Sequence, residues 1–162
     1  QSRSSAASDV YKRQAYVKYV RPGVKIIAVE SDDAACLDAA LKAGRRVKLK
    51  DVGLFADGTA VAEVGEETFR ILKDLVDEVI TVTTDEICAA IKYIYNHTRA
   101  ICEPSGAMGT AGLKKYIEQN QISGQTLVAI QCGANIDFDR LRYISERTEI
   151  GARSVKQFWL LR

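Results

Sequence analysis

Apolar residues in this chain fall in short, nearly continuous runs separated by longer amphipathic stretches, and the two patterns alternate from about residue 24 onward. Residues 24–29 form one such run, the pattern of a strand covered on both faces. Asp32 or Asp33 can then cap a helix that runs to Ala43 and stops at Gly44. Residues 45–62 show no helical period and hold Phe55-Ala56-Asp57-Gly58-Thr59, an Asp-Gly turn pattern; the stretch reads as a functional loop with one short strand. Residues 66–76 return to helical spacing, and Glu78–Val82 reads as a strand. Thr83 and Glu86 stand three apart as a capping box for a helix expected to reach Asn96. Pro104 opens a further helix to Asn120, at a position where its missing N–H costs nothing. Residues 126–131 are the last apolar run, read as a strand, and residues 139–147 are expected to be helical. The alternation predicts an α/β fold, a mainly parallel sheet with helices on both faces.

The ends depart from this pattern. Residues 1–14 are rich in Ser, Ala and Arg without either period, ahead of a short helix at residues 15–20, and are expected to be foreign sequence. Residues 155–162 are expected to be a frameshifted tail.

Composition narrows the function classes. The 162 residues are 47% hydrophobic and 27% charged, enough for one domain with a real core. Twenty-three basic and 21 acidic residues leave a net charge of +2, and no Lys/Arg stripe is interleaved with aromatics, so nucleic acid is not an expected partner. No apolar run approaches the roughly 20 residues that span a bilayer, so no membrane association is expected and the setting reads as cytoplasmic. Cys36, Cys88, Cys102 and Cys132 form no C-x-x-C pair and have one histidine, His97, for company, so they read as reduced thiols. His97 reads as a C-terminal helix side chain and not as a base, and Lys92, Lys114 and Lys115 as solvated helix residues.

Two clusters of small and polar residues carry the candidate chemistry: Glu103-Pro104-Ser105-Gly106-Ala107 and Gln131-Cys132-Gly133-Ala134-Asn135. The second ends a buried-strand run at its carboxyl end, where open α/β sheets bind ligands. By residue type alone, Cys132 is more often a small core hydrophobe than a functional group, and Glu103 a solvated carboxylate ahead of a helix. The glycines at 106 and 109 let the helix start approach a ligand or a neighbouring strand closely.

With the run Leu141-Arg142-Tyr143-Ile144-Ser145-Glu146-Arg147-Thr148-Glu149-Ile150-Gly151, these clusters resemble the pyridoxal-phosphate-dependent threonine dehydratases of the biosynthetic type, over residues 15–154. That resemblance implies part of a fold-type II catalytic domain and pyridoxal 5'-phosphate as cofactor. It implies deamination of L-threonine to 2-oxobutanoate and ammonia, the entry to isoleucine synthesis. Cys132 would meet the pyridine nitrogen; a thiol there does not hold the nitrogen protonated, which suits loss of a β-hydroxyl. Gly133, Glu103, Ser105 and Gly106 would line the pocket, and the backbone at Ala56, Asp57 and Gly58 would pass the cofactor ring and substrate. The family's Schiff-base lysine, in a Ser-x-Lys-x-Arg motif, and its glycine-rich phosphate loop have no counterpart here, so no catalytic residue is assigned. The chain is expected to be the carboxyl-terminal half of a catalytic domain, inactive alone. The complete enzyme would add an amino-terminal half and a carboxyl-terminal regulatory domain and would form a homo-oligomer.

Two alternatives stay open. A serine dehydratase or serine racemase-like enzyme shares the same half-pocket, although residues 141–151 favour the biosynthetic threonine enzyme. A non-catalytic structural or binding module is favoured by the missing lysine. The segment Glu30-Ser31-Asp32-Asp33-Ala34-Ala35-Cys36 also resembles a metal-binding stretch of serine racemases, with Cys36 at the last ligand position. A thiol is a poor ligand for a hard cation, so no metal is expected, and capping by Asp32 or Asp33 is the role assigned.

Overall fold

The computed structural model describes the backbone of residues 5–153 and the side chains of residues 12–148. Along the chain run α1 (Ser5–Val20), β1 (Ile27–Ser31), α2 (Cys36–Ala43), a 3-10 turn (Asp57–Thr59), α3 (Glu66–Leu75), β2 (Glu78–Val82), α4 (Thr84–Thr98), α5 (Pro104–Asn120) and α6 (Arg140–Arg153). They divide into two units, residues 1–81 and 82–162. The expected tail at residues 155–162 lies outside the described residues, and α1 extends from Ser5 through the stretch expected to be foreign.

In the first unit, β1 and β2 are neighbours in a two-stranded sheet, joined by a crossover through α2 and α3. A connection of this kind returns the chain in the same direction, so the pair is parallel. Its core is Ala28, Cys36, Leu37, Ala40, Val64 and Leu72, with Leu41, Leu49, Phe69, Val76 and Val79 packed against them. β1 starts three residues later than its apolar run because Ile26 is engaged elsewhere: its N–H donates to Asp77 Oδ2 at 2.7 Å and its carbonyl accepts from the Asp77 N–H at 2.9 Å. Asp77 also pairs with Lys18 at 2.7 Å, tying α1 to the start of β2.

The cap expected for the first amphipathic helix is corrected. Neither Asp32 nor Asp33 caps α2; Glu30, at the carboxyl end of β1, accepts from the N–H groups of Leu37 (2.9 Å) and Asp38 (2.8 Å). The helix begins at Cys36, too far along the chain for the aspartates, while Asp33 accepts from the Ser31 hydroxyl and packs against Gly53. Gly44 ends α2 in the left-handed conformation, φ 64°, as its composition predicts. No strand forms between residues 45 and 62; the backbone makes one turn of 3-10 helix at Asp57–Thr59.

In the second unit, the capping box is present as read. The Thr83 side chain accepts from the Glu86 N–H at 3.2 Å, and Glu86 Oε2 accepts from the Thr83 N–H at 2.7 Å. Glu86 also receives Lys115 of α5, 3.1 Å away. α4 packs on α5 and α6 through Ile87, Cys88, Ile91, Ile94, Ala107, Met108, Ala111, Tyr116 and Ile144, all buried. Buried Thr148 satisfies its hydroxyl by donating within α6 to Ile144 O and lies 3.3 Å from Cys88 O, while Arg147 pairs with Asp85 at 2.9 Å. α6 outruns the expected 139–147 by about a turn and a half.

Residues 126–131 are the second correction. They join no ladder: the segment is irregular, and Val128 is 83% exposed. A strand is made by its hydrogen-bonding neighbour, and among the described residues none lies alongside this run. Its apolar content therefore reports a propensity whose partner the two-stranded sheet does not supply.

Candidate functional site

The predicted clusters of the second unit meet at the amino terminus of α5. Glu103 occupies the N-cap position in extended conformation (φ −66°, ψ 158°), and fully buried Pro104 fixes the first turn. The Glu103 N–H donates to Gly133 O at 3.1 Å, which sets residues 102–103 beside residues 132–133. Gly106 lies under the same segment: a Cβ there would overlap the Cys132 carbonyl oxygen and sit 2.7 Å from its carbon. One turn further, a Cβ on Gly109 would lie 2.8 Å from Ile130 O. The two small positions are thus occupied by the neighbouring backbone. Of the two uses open for these glycines, close packing against the adjacent segment is the one observed.

Cys132 itself is exposed, unlike Cys36, Cys88 and Cys102. Burial pushes the Cys102 thiol up to about 11, with the nearby Glu103 carboxylate and Cys132 adding to the shift. Burial likewise raises Cys36 to about 11 and Cys88 to about 12, beside Glu30 and Asp85 respectively. Those three thiols are core groups, inert as nucleophiles at neutral pH. Gly133 adopts φ +78°, where a side chain is strained, and a Cβ would also run into the Glu103 carboxylate. Ser105 Oγ is buried and has no hydrogen-bond partner. A buried, unpartnered hydroxyl costs free energy unless a ligand completes it.

The remaining predicted residues lie in the first unit. Ala56 is buried, and its carbonyl accepts from both the N–H (2.9 Å) and the hydroxyl (3.0 Å) of Thr59. Exposed Asp57 caps its own turn, accepting from the Gly58 N–H at 3.0 Å. Among the described residues, no group of three or more His, Cys, Asp and Glu side chains converges as a metal site. Burial raises the Glu30 pKa above the usual carboxylate range, partly offset by the two amides it accepts from, which is the signature of a buried cap. No helix among the described residues is long and apolar enough to cross a membrane.

Sequence reasoning placed Asn135 in the second cluster but gave it no role. Its N–H donates to Glu103 Oε2 at 3.2 Å, so Glu103 touches the second cluster through its side chain as well as its backbone. No local sequence signal pointed to this bond, because its partners lie 32 positions apart.

A helix N-terminus, a glycine at positive φ, a buried hydroxyl without a partner and an exposed thiol lie on the two segments that meet here, the kind of place where α/β enzymes bind ligands. A profile of the family described as "Pyridoxal-phosphate dependent enzyme" matches residues 14–133, and the chain belongs to that family. It is 55% identical over 137 residues to the L-threonine dehydratase biosynthetic IlvA of Burkholderia multivorans, covering 85% of this chain and 27% of that protein. The structure of the processed form of threonine deaminase isoform 2 from Solanum lycopersicum superposes with a TM-score of 0.84 at 43% identity, covering 85% of this chain and 40% of that one. Serine racemase from Dictyostelium discoideum follows less closely, at 30% identity and a TM-score of 0.69, over 79% and 40% of the two chains. The chain spans about a quarter of the length of the curated relatives it matches.

Proposed function

We propose that this chain is the carboxyl-terminal part of the catalytic domain of a threonine ammonia-lyase, an enzyme that converts L-threonine to 2-oxobutanoate and ammonia for isoleucine synthesis. The observation that carries the reading is the convergence of residues 103–106 with residues 132–135 on one wall, bearing an exposed thiol and an unpartnered buried hydroxyl. The residues present fit pyridoxal 5'-phosphate on this side. Bound there, the cofactor supplies the electron sink that makes the substrate Cα–H acidic. Cys132 offers the pyridine nitrogen a neutral partner that does not hold a proton on it. Ser105 offers its unused hydroxyl to a ligand oxygen, and Gly106 and Gly133 set the backbone of the wall. Ala56, Asp57 and Gly58 are the contacts proposed from the first unit.

Four cysteines without a disulfide support a reducing, cytoplasmic setting. The complete enzyme, with its lysine-bearing amino-terminal half and regulatory domain, is read as a homo-oligomer. Because the sequence carries no Ser-x-Lys-x-Arg motif, the purified chain supplemented with pyridoxal phosphate and threonine is expected to form no 2-oxobutanoate. The functional test is a hybrid in which residues 15–154 replace the matching segment of the Burkholderia multivorans relative. We expect it to deaminate threonine with a higher kcat/KM than serine. A folded, cofactor-loaded hybrid that prefers serine, or turns over neither, refutes the threonine reading.

A further inference from the structure

Glu103 stands at the N-cap of α5 but leaves its own helix uncapped. Glutamate is not among the short polar side chains that favour the N-cap, so its carboxylate is available to other partners. Here the carboxylate turns away and accepts from the Asn135 N–H at 3.2 Å, while the Glu103 backbone N–H donates to Gly133 O at 3.1 Å. The side chain lies so close over the Gly133 Cα that its Cγ would be 2.8 Å from a Cβ placed there. One residue thus grips the turn at two points, directly after Cys132, and Gly106 abuts the Cys132 carbonyl from the other side.

We propose that Glu103 is a positioning residue: it holds the Gly133–Asn135 segment, with Gly133 at positive φ, in the conformation that aims the Cys132 thiol. The proposal rests on the reading of Cys132 as the group that faces the cofactor ring. A carboxylate committed to a backbone N–H and packed on a glycine has one face already used. Its reach matters as much as its charge, because the bond spans from the N-cap of one segment to the third residue beyond Cys132. Glutamine keeps both the length and an acceptor oxygen; aspartate keeps the charge and loses one methylene of reach.

The test uses the 162-residue chain without cofactor, so its failure leaves the dehydratase reading standing, and failure of that reading leaves the positioning result intact. Glu103→Gln, Glu103→Asp and Glu103→Ala are compared by amide hydrogen exchange at Asn135, by the alkylation rate of the Cys132 thiol and by the urea midpoint. We expect Gln to stay within about twofold of the parent in both local readouts, and Ala and Asp to exchange at Asn135 about three- to tenfold faster. We expect the Cys132 rate to change in Ala and Asp while Cys36, Cys88 and Cys102 stay protected. Asp matching the parent would make charge the operative property and overturn the proposal. Ala matching the parent would do so as well. If Ala does not fold, the Gln and Asp pair decides. Parallel exposure of all four thiols would show a general loss of stability instead of a local role, and would also overturn it.

Discussion

Replacing Gly106 with alanine sets two effects of opposite sign against each other. Gly106 is the third residue of α5, where alanine is the better helix former by up to about 1 kcal/mol. The added methyl would overlap the Cys132 carbonyl oxygen, lie 2.7 Å from its carbon and come within 3.3 Å of Gly133 O. Carbon atoms pack best about 3.5–4.0 Å apart, and the carbonyl oxygen lies nearer still, so the residue 132 backbone would have to retreat by more than about 1 Å. That obstacle is main chain, pinned one residue on by the hydrogen bond from the Glu103 N–H, and it cannot swing aside as a side chain does. Overpacking of this kind costs about 1–3 kcal/mol, and at its upper end it exceeds the helix gain by about 2 kcal/mol. Gly109→Ala is the internal control. Its methyl meets Ile130 O at 2.8 Å with the carbonyl carbon 3.7 Å away, a smaller intrusion that the helix gain can offset. Urea unfolding followed by far-UV circular dichroism should lower the midpoint of Gly106→Ala by about 1 M, given a slope of about 2 kcal/mol per M, with Gly109→Ala near the parent. Gly106→Ala at or above the parent midpoint, or Gly109→Ala the more damaged of the two, would refute the claim that residue 132 is seated on Gly106.

Two further outcomes follow from the same geometry. A disulfide reagent at pH 8 should modify Cys132 rapidly and Cys36, Cys88 and Cys102 slowly, since burial raises those three to about 11, 12 and 11; all four should react at once in denaturant. Two or more fast thiols in the native protein would contradict the assignment of those three to the core. Asp77 is held below the usual carboxylate range by the Ile26 amide and then by Lys18, so its contribution to stability is present above its unfolded value and lost as pH falls through its folded one. The urea midpoint should therefore fall less steeply on acidification in Asp77→Asn than in the parent; equal slopes below about pH 4 would remove Asp77 from the account.

The elements read most directly from sequence were those whose signals are local. Thr83 and Glu86 stand three residues apart and cap each other, Pro104 stands at a helix start, and Gly44 at a helix end; each needs only its neighbours in the chain. What escaped depends on partners distant in sequence. Residues 126–131 have the composition of a strand, but pairing requires a second edge that composition cannot supply, and none of the described residues provides it. Glu30 caps α2 from seven residues away by standing at the end of β1, whereas the aspartates that look like caps make no cap bond. The site followed the same division. Residues 103–106 and 132–135 stood out because small and polar residues cluster at element boundaries, whereas the bond from Asn135 to Glu103 spans 32 positions and belongs to the fold alone.

The central claim is that Cys132 faces the cofactor ring as a neutral partner, and it is tested most directly in the hybrid enzyme carrying residues 15–154. Cys132→Ser and Cys132→Asp are compared for 2-oxobutanoate formation from threonine, together with the absorbance of the bound cofactor. The serine variant should keep most of the activity, because a hydroxyl also leaves the pyridine nitrogen unprotonated. The aspartate variant should lose about a hundredfold or more and shift the cofactor absorbance, because a carboxylate there favours the protonated ring and adds a charge removed from water. An aspartate variant as active as the parent, with unchanged absorbance, would place Cys132 away from the ring and contradict the account.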